Sequence, residues 1–498
     1  MKKVLYILLS LLLFSACATE TVSDARQETT LPRIYPDYLG VTIPVNIAPL
    51  CFCMEDEEAL RIDAVITDQH GNNLHCQGEE SADFDLDDWH ALLDQNRGDS
   101  LSVTVSAKYA DGWHTYRPFS IFVSPDSIDY GICYRLIEPG YEVWSKMGIY
   151  ERDLSSFDER PLIENTQFEG CVNCHSFNRG NPDDMSLHIR GPHGATLLRH
   201  SNPKNPLPLA AYNTKTDQTL GFCVYPYWHP SGHYIAYSTN TTSQLFHSAD
   251  RNRIEVFDEA SDLQVYDIEK NELLLSPLLK QDSIYETFPV FSADGRSLYF
   301  CAAQALPKDS HQLDSIHYNL CRIDFDPATG HFGNQIETIV DAVAQHKSVS
   351  FPRPSYDGRF LCYTLSDYGQ FSIWHHEADL YLLDLSTGES HPMAAANSED
   401  TESFHNWSTN SRWMVLSSRR DDGLFTRPYF CHVDAKGVVS KAFMLPQRNP
   451  RRFYRERFLS FNVPDFIIGP TRFNGHEASR LINDEYRKDF GVRKEPNL

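Results

Sequence analysis

Cys171, Cys174 and His175 stand together in EGCVNCHSF, residues 169–177. Two thiols at this spacing, with a histidine directly after the second, can do three kinds of chemistry. They can form thioethers to the two vinyl groups of a haem and place an imidazole beneath its iron. They can cycle as a redox dithiol. They can also supply part of a zinc site. A dithiol of the thioredoxin kind opens a helix inside a βαβ unit, and no such unit reads from the flanking sequence. Zinc needs further ligands, and the next cysteine is Cys223, leaving His188, His193 and His200 to be recruited. Twelve cysteines and 21 histidines in 498 residues make the pattern rare by chance.

The beginning of the chain bears on the choice. MKKVLYILLSLLLFSAC has Lys2 and Lys3, an apolar run from Val4 to Phe14, then small residues. That is the layout of a secretory signal peptide, and the run is too short for a comfortable membrane span. Phe14-Ser15-Ala16-Cys17 resembles a bacterial lipobox closing a signal segment of residues 1–17, which implies cleavage just before Cys17 and a lipid on Cys17 as the new first residue. Phe14 departs from the commoner leucine, and an ordinary cleaved signal with an incidental cysteine stays open. Residues 18–34 are polar and read as a tether. CVNCH itself resembles the attachment motif of c-type cytochromes, whose haem is joined on the outer side of the membrane. The resemblance implies covalent haem c on Cys171 and Cys174, with His175 as iron ligand.

A second iron ligand is expected from NPDDMSLHIRGPHGATLLRH, which offers Met185, His188, His193 and His200. Read as a strand, Leu187 and Ile189 point into packing and His188 points outward. His188 is therefore favoured, with Met185 as the alternative and His193 third. A five-coordinate or water-ligated iron stays open.

Stepping outward, four segments repeat: YPYWHPSGHYIAY (225–237), FPVFSADGRSLYF (288–300), FPRPSYDGRFLCY (351–363) and FHNWSTNSRWMVL (404–416). Each reads aromatic, a tight turn, then an alternating strand, and each is followed by a hairpin. Weaker copies begin at FNRGNPDDMSLHI (177–189) and YGICYRLIEPGYEVW (130–144). Repeat plus hairpin makes a four-stranded sheet, the unit of a β-propeller. The FP-x-[FW]-S-x-DG-R pattern resembles the WD40-like (PD40) repeats of TolB-type propellers. That implies an all-β chain with six blades over residues 129–445, with CxxCH as an insertion at 171–175. Residues 35–128 read as a small β-sandwich. Residues 446–498 read as an arginine-rich segment and a helix packed on the propeller, QRNPRRFYRERF being a solvated edge or a docking surface for acidic groups. Cysteines within strand-like runs, such as Cys301, Cys321, Cys362 and Cys431, read as core thiols. His375, His376, Glu377 and Asp379 read as hydrogen-bonding between blades, with a metal site the sharper alternative.

A net charge of −24 argues against nucleic acid as a partner. The expected protein is lipid-anchored in the cell envelope and carries haem c in electron transfer or redox sensing, with an envelope redox or scaffold partner. Two alternatives stay open: a non-enzymatic TolB-like scaffold without haem, and a propeller hydrolase or lyase acting on an extracellular polymer. No nucleophile elbow, phosphate loop or HExxH motif supports the last.

Overall fold

A computed structural model describes residues 20–138, 146–201, 206–250, 252–307, 312–484 and 486–493. The signal peptide and Cys17 lie outside the described residues. The chain divides into two compact units.

The smaller unit comprises the described residues up to Gly40, Ala48–Val123 and Pro446–Glu456. Its main sheet runs Arg26–Gln27, Gly112–Thr115, Ser100–Tyr109, Arg61–Thr67, Asn73–Gly78, with Phe119–Ser124 also on Ser100–Tyr109. The alternating Leu101, Val103, Val105 and Ala107 bury one face of the central strand. The opposing layer of the expected sandwich is slight: a two-stranded ribbon, Ile34–Tyr35 with Cys53–Met54, and the helix Leu86–Gln95. Asp85 caps that helix by accepting from the Asp87 and Asp88 amides, and Trp89, Leu92 and Leu93 are its buried face. The expected tether is folded from Arg26 onward. Arg26–Gln27 pairs in parallel with His114–Thr115, so its main chain has found partners and is no spacer.

The larger unit comprises Val41–Ile47, Ser124–Leu445 and the described residues from Arg457. It holds six sheets whose first strands follow one another around a common axis, a six-bladed β-propeller. Blade 2 is Cys171–Asn178, Asn181–Arg190, Ala195–His200 and Leu207–Asn213. Blade 3 is Val224–Trp228, Tyr234–Phe246, Ile254–Asp267 and Glu272–Leu274. Blade 4 runs from Ile284–Phe291 to His331–Val340, blade 5 from Ser348–Pro354 to Glu389–Pro392, and blade 6 from Glu402–Trp407 to Phe443–Met444.

Blade 1 is closed by the far end of the chain. Gly131–Ile137, Gly148–Asp153 and Glu159–Glu164 form its outer part, and Ser460–Ile467 supplies the inner strand, antiparallel to Gly131–Ile137. The propeller therefore does not end at residue 445. The ring closes by main-chain hydrogen bonds between the two ends, which removes an open edge. Beyond it, the helix Gly475–Asn483 buries Ala478 and Ile482 in the core between blades 1 and 2. Lys488–Asp489 and Gly491–Val492 then add to the outer strands of blades 2 and 3.

Turns repeat with the blades. At Gly295 φ is +72°, and a Cβ there would lie 2.0 Å from His229 Nε2, which donates to the Gly295 carbonyl at 3.0 Å. His229 is thus a blade-packing histidine. The eleven described cysteines are free thiols, and Cys301, Cys362 and Cys431 are fully buried within their blades.

Candidate functional site

The motif is not an insertion. Cys171–Asn178 is the inner strand of blade 2, and CVNCHSF is that blade's own copy of the repeat. Aligned on their bulges, the six inner strands read Cys174-His175-Ser176-Phe177, Tyr225-Pro226-Tyr227-Trp228, Phe288-Pro289-Val290-Phe291, Phe351-Pro352-Arg353-Pro354, Phe404-His405-Asn406-Trp407 and Val463-Pro464-Asp465-Phe466. Cys174 stands where four other blades have an aromatic residue, and His175 where four have proline.

Each bulge turns one side chain towards the axis. Cys174, Tyr225, Phe288, Phe351 and Val463 have φ of 48°, 51°, 51°, 52° and 51°, the left-handed region that non-glycine residues seldom occupy. Neighbouring rings meet around the axis: Tyr225 with Phe288, Phe288 with Phe351, and Phe351 with Phe404, each pair with centroids 4.6 Å apart. The resulting aromatic arc is interrupted at Cys174 and Val463.

Above this arc lies an axial cavity of about 410 Å³, within the usual range of small-molecule sites (~300–1,000 Å³). Cys171, Cys174 and His175 all line it. The Cys174 thiol is raised by burial, with Arg190 and Arg135 acting the other way. His175 is 3 % exposed. Its Nε2 donates to the Cys133 carbonyl at 3.2 Å, and Nδ1 makes no hydrogen bond. Burial holds its pKa down at about 4, against the Cys133 and Val463 carbonyls, so the ring is neutral at physiological pH. A neutral imidazole and two thiols on one cavity wall are a donor set that fits haem c.

The structure places the expected second ligands away from the cavity. Asn173 pairs with His188 and Val172 with Ile189, so His188 lies on the opposite sheet face from Val172 and Ile189. Val172, Phe177, Met185, Leu187 and Ile189 pack with blade 1 residues such as Cys133 and Ile149. His175 also faces blade 1, through the Cys133 carbonyl. His188 faces the other way, bonded to Thr196 Oγ1 at 3.1 Å with its ring 5.6 Å from Phe222. It is 3 % exposed, not outward, because both faces of a blade are covered by neighbours. Met185 is 2 % exposed within the apolar core. His193 sits in the turn after Arg190, and His200 bonds Asp184 at 3.1 Å. None of these four lines the cavity.

Residues that the motif did not signal complete the site. Arg135, Arg190, Arg353 and Arg419 line the cavity against one acidic residue, Glu138. Arg419 is committed: it lies 3.4 Å over the Trp374 ring and donates to the Ile373 carbonyl at 2.7 Å. Arg353 reaches only its neighbour's carbonyl, Pro352, at 2.9 Å and the face of Tyr227. Arg135 donates to Asn173 Oδ1 at 2.7 Å. A second axial cavity of about 40 Å³ adjoins the first, and His175, Pro226, Phe351, Arg353, Phe404 and Val463 line both.

The cavity is roofed in part by blade 3. Its two middle strands, Tyr234–Phe246 and Ile254–Asp267, are about twice the length of the corresponding strands in blade 6, Trp413–Ser418 and Arg427–His432. The extra length brings Gln244, Phe246, Ile254 and Val256 to the cavity. Glu255 fastens it to the loop of blade 5, accepting from Tyr368 Oη at 2.7 Å and meeting His375 Nε2 at 2.9 Å. His375 Nδ1 lies 3.2 Å from Glu377, and His376 Nδ1 lies 2.7 Å from Asp400. These histidines bridge elements rather than gather a metal. Among the described residues, no group of three or more His, Cys, Asp or Glu is placed to hold an ion. In the arginine-rich segment, Arg455 pairs with Glu57 at 3.4 Å, Arg452 with Glu456 at 3.3 Å, and Arg457 with Glu159, so those charges are answered locally.

Fold and site together define a six-bladed β-propeller with a thiol-, imidazole- and arginine-lined cavity on its axis. No known protein family matches the chain, and no curated protein matches it. Among solved structures, a protein of unknown function from Bacteroides thetaiotaomicron is 10% identical with a TM-score of 0.33, over 86% of this chain and 100% of that one. A DUF4784 family protein from Bacteroides caccae is 10% identical with a TM-score of 0.29, over 75% and 96%. Prolyl oligopeptidase B from Galerina marginata is 11% identical with a TM-score of 0.35, over 76% of this chain and 52% of that one.

Proposed function

We propose that this chain is an exported, lipid-anchored propeller that carries haem c on its axis and serves electron transfer or redox sensing in the cell envelope. The observation that supports this most is the position of Cys174. The repeat would place an aromatic ring there, and the chain instead presents a thiol to a ligand-sized cavity that Cys171 and His175 also line. Bound haem supplies a one-electron iron couple. The residues of the chain do the rest: Cys171 and Cys174 tether, His175 offers a neutral imidazole, and the aromatic arc with the blade 3 hairpin excludes water. In such a low-dielectric setting the iron's potential answers to nearby fixed charge. Anchoring is assigned to a lipid on Cys17, and the partner to another envelope redox protein.

A haem stain of the denatured protein, expressed with its own leader in a host competent for haem attachment, tests this reading. Staining lost in Cys171→Ala/Cys174→Ala is the expected result. An unstained wild type that still folds would leave the haem-free scaffold. Cys17→Ser should move the protein to the soluble fraction or block its maturation.

A further inference from the structure

We propose that the axial cavity is itself a receptor for a flat, mainly apolar macrocycle bearing carboxylates, and that it holds such a molecule without any thioether bond. This deepens the haem reading by naming what the cavity recognises, and it stands on different residues.

The argument begins with charge. The chain carries −24 overall, yet its axial cavity concentrates guanidinium groups from four blades. Three of them, Arg135, Arg190 and Arg353, have no carboxylate within ion-pair distance among the described residues, and Glu138 is the lone acid on the wall. Elsewhere in the same unit arginines are answered: Arg160 by Glu151 at 2.8 Å, Arg420 by Glu402 at 2.9 Å. Arg353 is the clearest case. Burial lowers its pKa, and its polar contact is a carbonyl of its own strand. Arg353 is half-buried, so leaving it without a carboxylate carries part of the cost of a desolvated unpaired cation, and a ligand carboxylate would relieve that cost through charge-assisted hydrogen bonds.

The apolar part of the ligand follows from the floor and roof. Tyr225, Phe288, Phe351 and Phe404 form a continuous arc of rings, and Phe246 from the blade 3 hairpin is 48% exposed. Aromatic rings brought to one cavity from the axial arc and from the blade 3 hairpin suit a planar ring system. A small anion would leave that arc unused, and a neutral apolar ligand would leave the guanidinium groups unpaired. A planar ring with carboxylates uses both.

The test uses the chain with Cys171→Ser/Cys174→Ser, produced without haem attachment. Deuteroporphyrin IX, a metal-free dicarboxylate, and its dimethyl ester are titrated in the same dilute detergent, following tryptophan quenching and the Soret shift. The dicarboxylate should bind one per chain and at least about ten-fold more tightly than the ester. Arg353→Gln and the solvent-accessible Arg190→Gln should each weaken the dicarboxylate by about three- to ten-fold and leave the ester unchanged. Arg452→Gln, on the surface, should change neither. Equal binding of acid and ester, or no binding of either by a folded protein, overturns the proposal. The covalent reading fails separately: a wild type without stained haem whose thiol-free variant binds the dicarboxylate loses only the thioethers. A wild type with haem whose thiol-free variant binds nothing loses only this inference.

Discussion

Cys174 occupies in blade 2 the position that Phe288 occupies in blade 4. Both sit at the bulge of an inner strand with left-handed φ, 48° and 51°, and both line the axial cavity. The thiol is therefore a substitution within a structural repeat. Cys174→Phe should restore the repeat's own residue and fold with a melting temperature within about 3 °C of wild type. It should also abolish covalent haem. A large fall in melting temperature, seen by calorimetry, would show that Cys174 is held by packing needs of its own.

His175 and His188 face opposite sides of one sheet, so one iron cannot take both without rebuilding blade 2. His188→Ala and Met185→Leu should leave the visible spectrum and midpoint potential of the haem-loaded protein unchanged. His188→Ala should still lower stability, by about 1–3 kcal/mol, since a fully packed ring is removed. A spectral change in either variant would reopen the question.

The Glu255–His375 contact holds the blade 3 hairpin over the cavity. Burial alone would lower the His375 pKa, but Glu255 and Glu377 raise it to about 9. The folded value lies above the unfolded one, near 6.5. The charged imidazole therefore stabilises fully below about pH 6.5, and that contribution fades as pH rises towards 9. Urea melts of wild type should lose on the order of 1–3 kcal/mol across this window, and His375→Gln should be flat there. In haem-free protein, maleimide labelling of Cys171 should be several-fold faster in Glu255→Gln. Unaltered labelling would mean that the hairpin does not gate the cavity.

Glu286 of blade 4 is fully buried, and neither carboxylate oxygen has a hydrogen-bond partner. Burial, with Asp262 nearby, raises its pKa to about 9. The unfolded carboxyl ionises near 4.5 while the folded one keeps its proton, so stability falls as pH rises between these values. Glu286→Gln should remove this loss and raise stability at pH 8 by on the order of 1–3 kcal/mol, with little effect at pH 5. Denaturant midpoints at the two pH values decide the point, and a destabilised variant at pH 8 would contradict the assignment.

How much was legible in the sequence follows from what kind of information each feature needs. The propeller was legible because its signals are local and repeated: an aromatic, a tight turn and an alternating strand recur in FPVFSADGRSLYF and FPRPSYDGRFLCY. The grouping of Cys171, Cys174 and His175 at one cavity was legible because their spacing is itself local. Two further features are also local in the sequence. NCHSF aligns with VYPYW on its final aromatic residue, and FNVPDF, residues 461–466, carries the same Pro-x-Phe. The first would have placed the motif in a blade's inner strand, and the second would have extended the propeller to the end of the chain. The rest could be decided only by the tertiary structure. His188 was expected to point outward because alternation distinguishes two faces of a strand, but a blade buries both, and only its neighbours decide which face meets which. The gathering of Arg135, Arg190 and Arg353 is of the same kind. These residues lie far apart in sequence, on three blades, and ring closure alone brings their charges to one cavity.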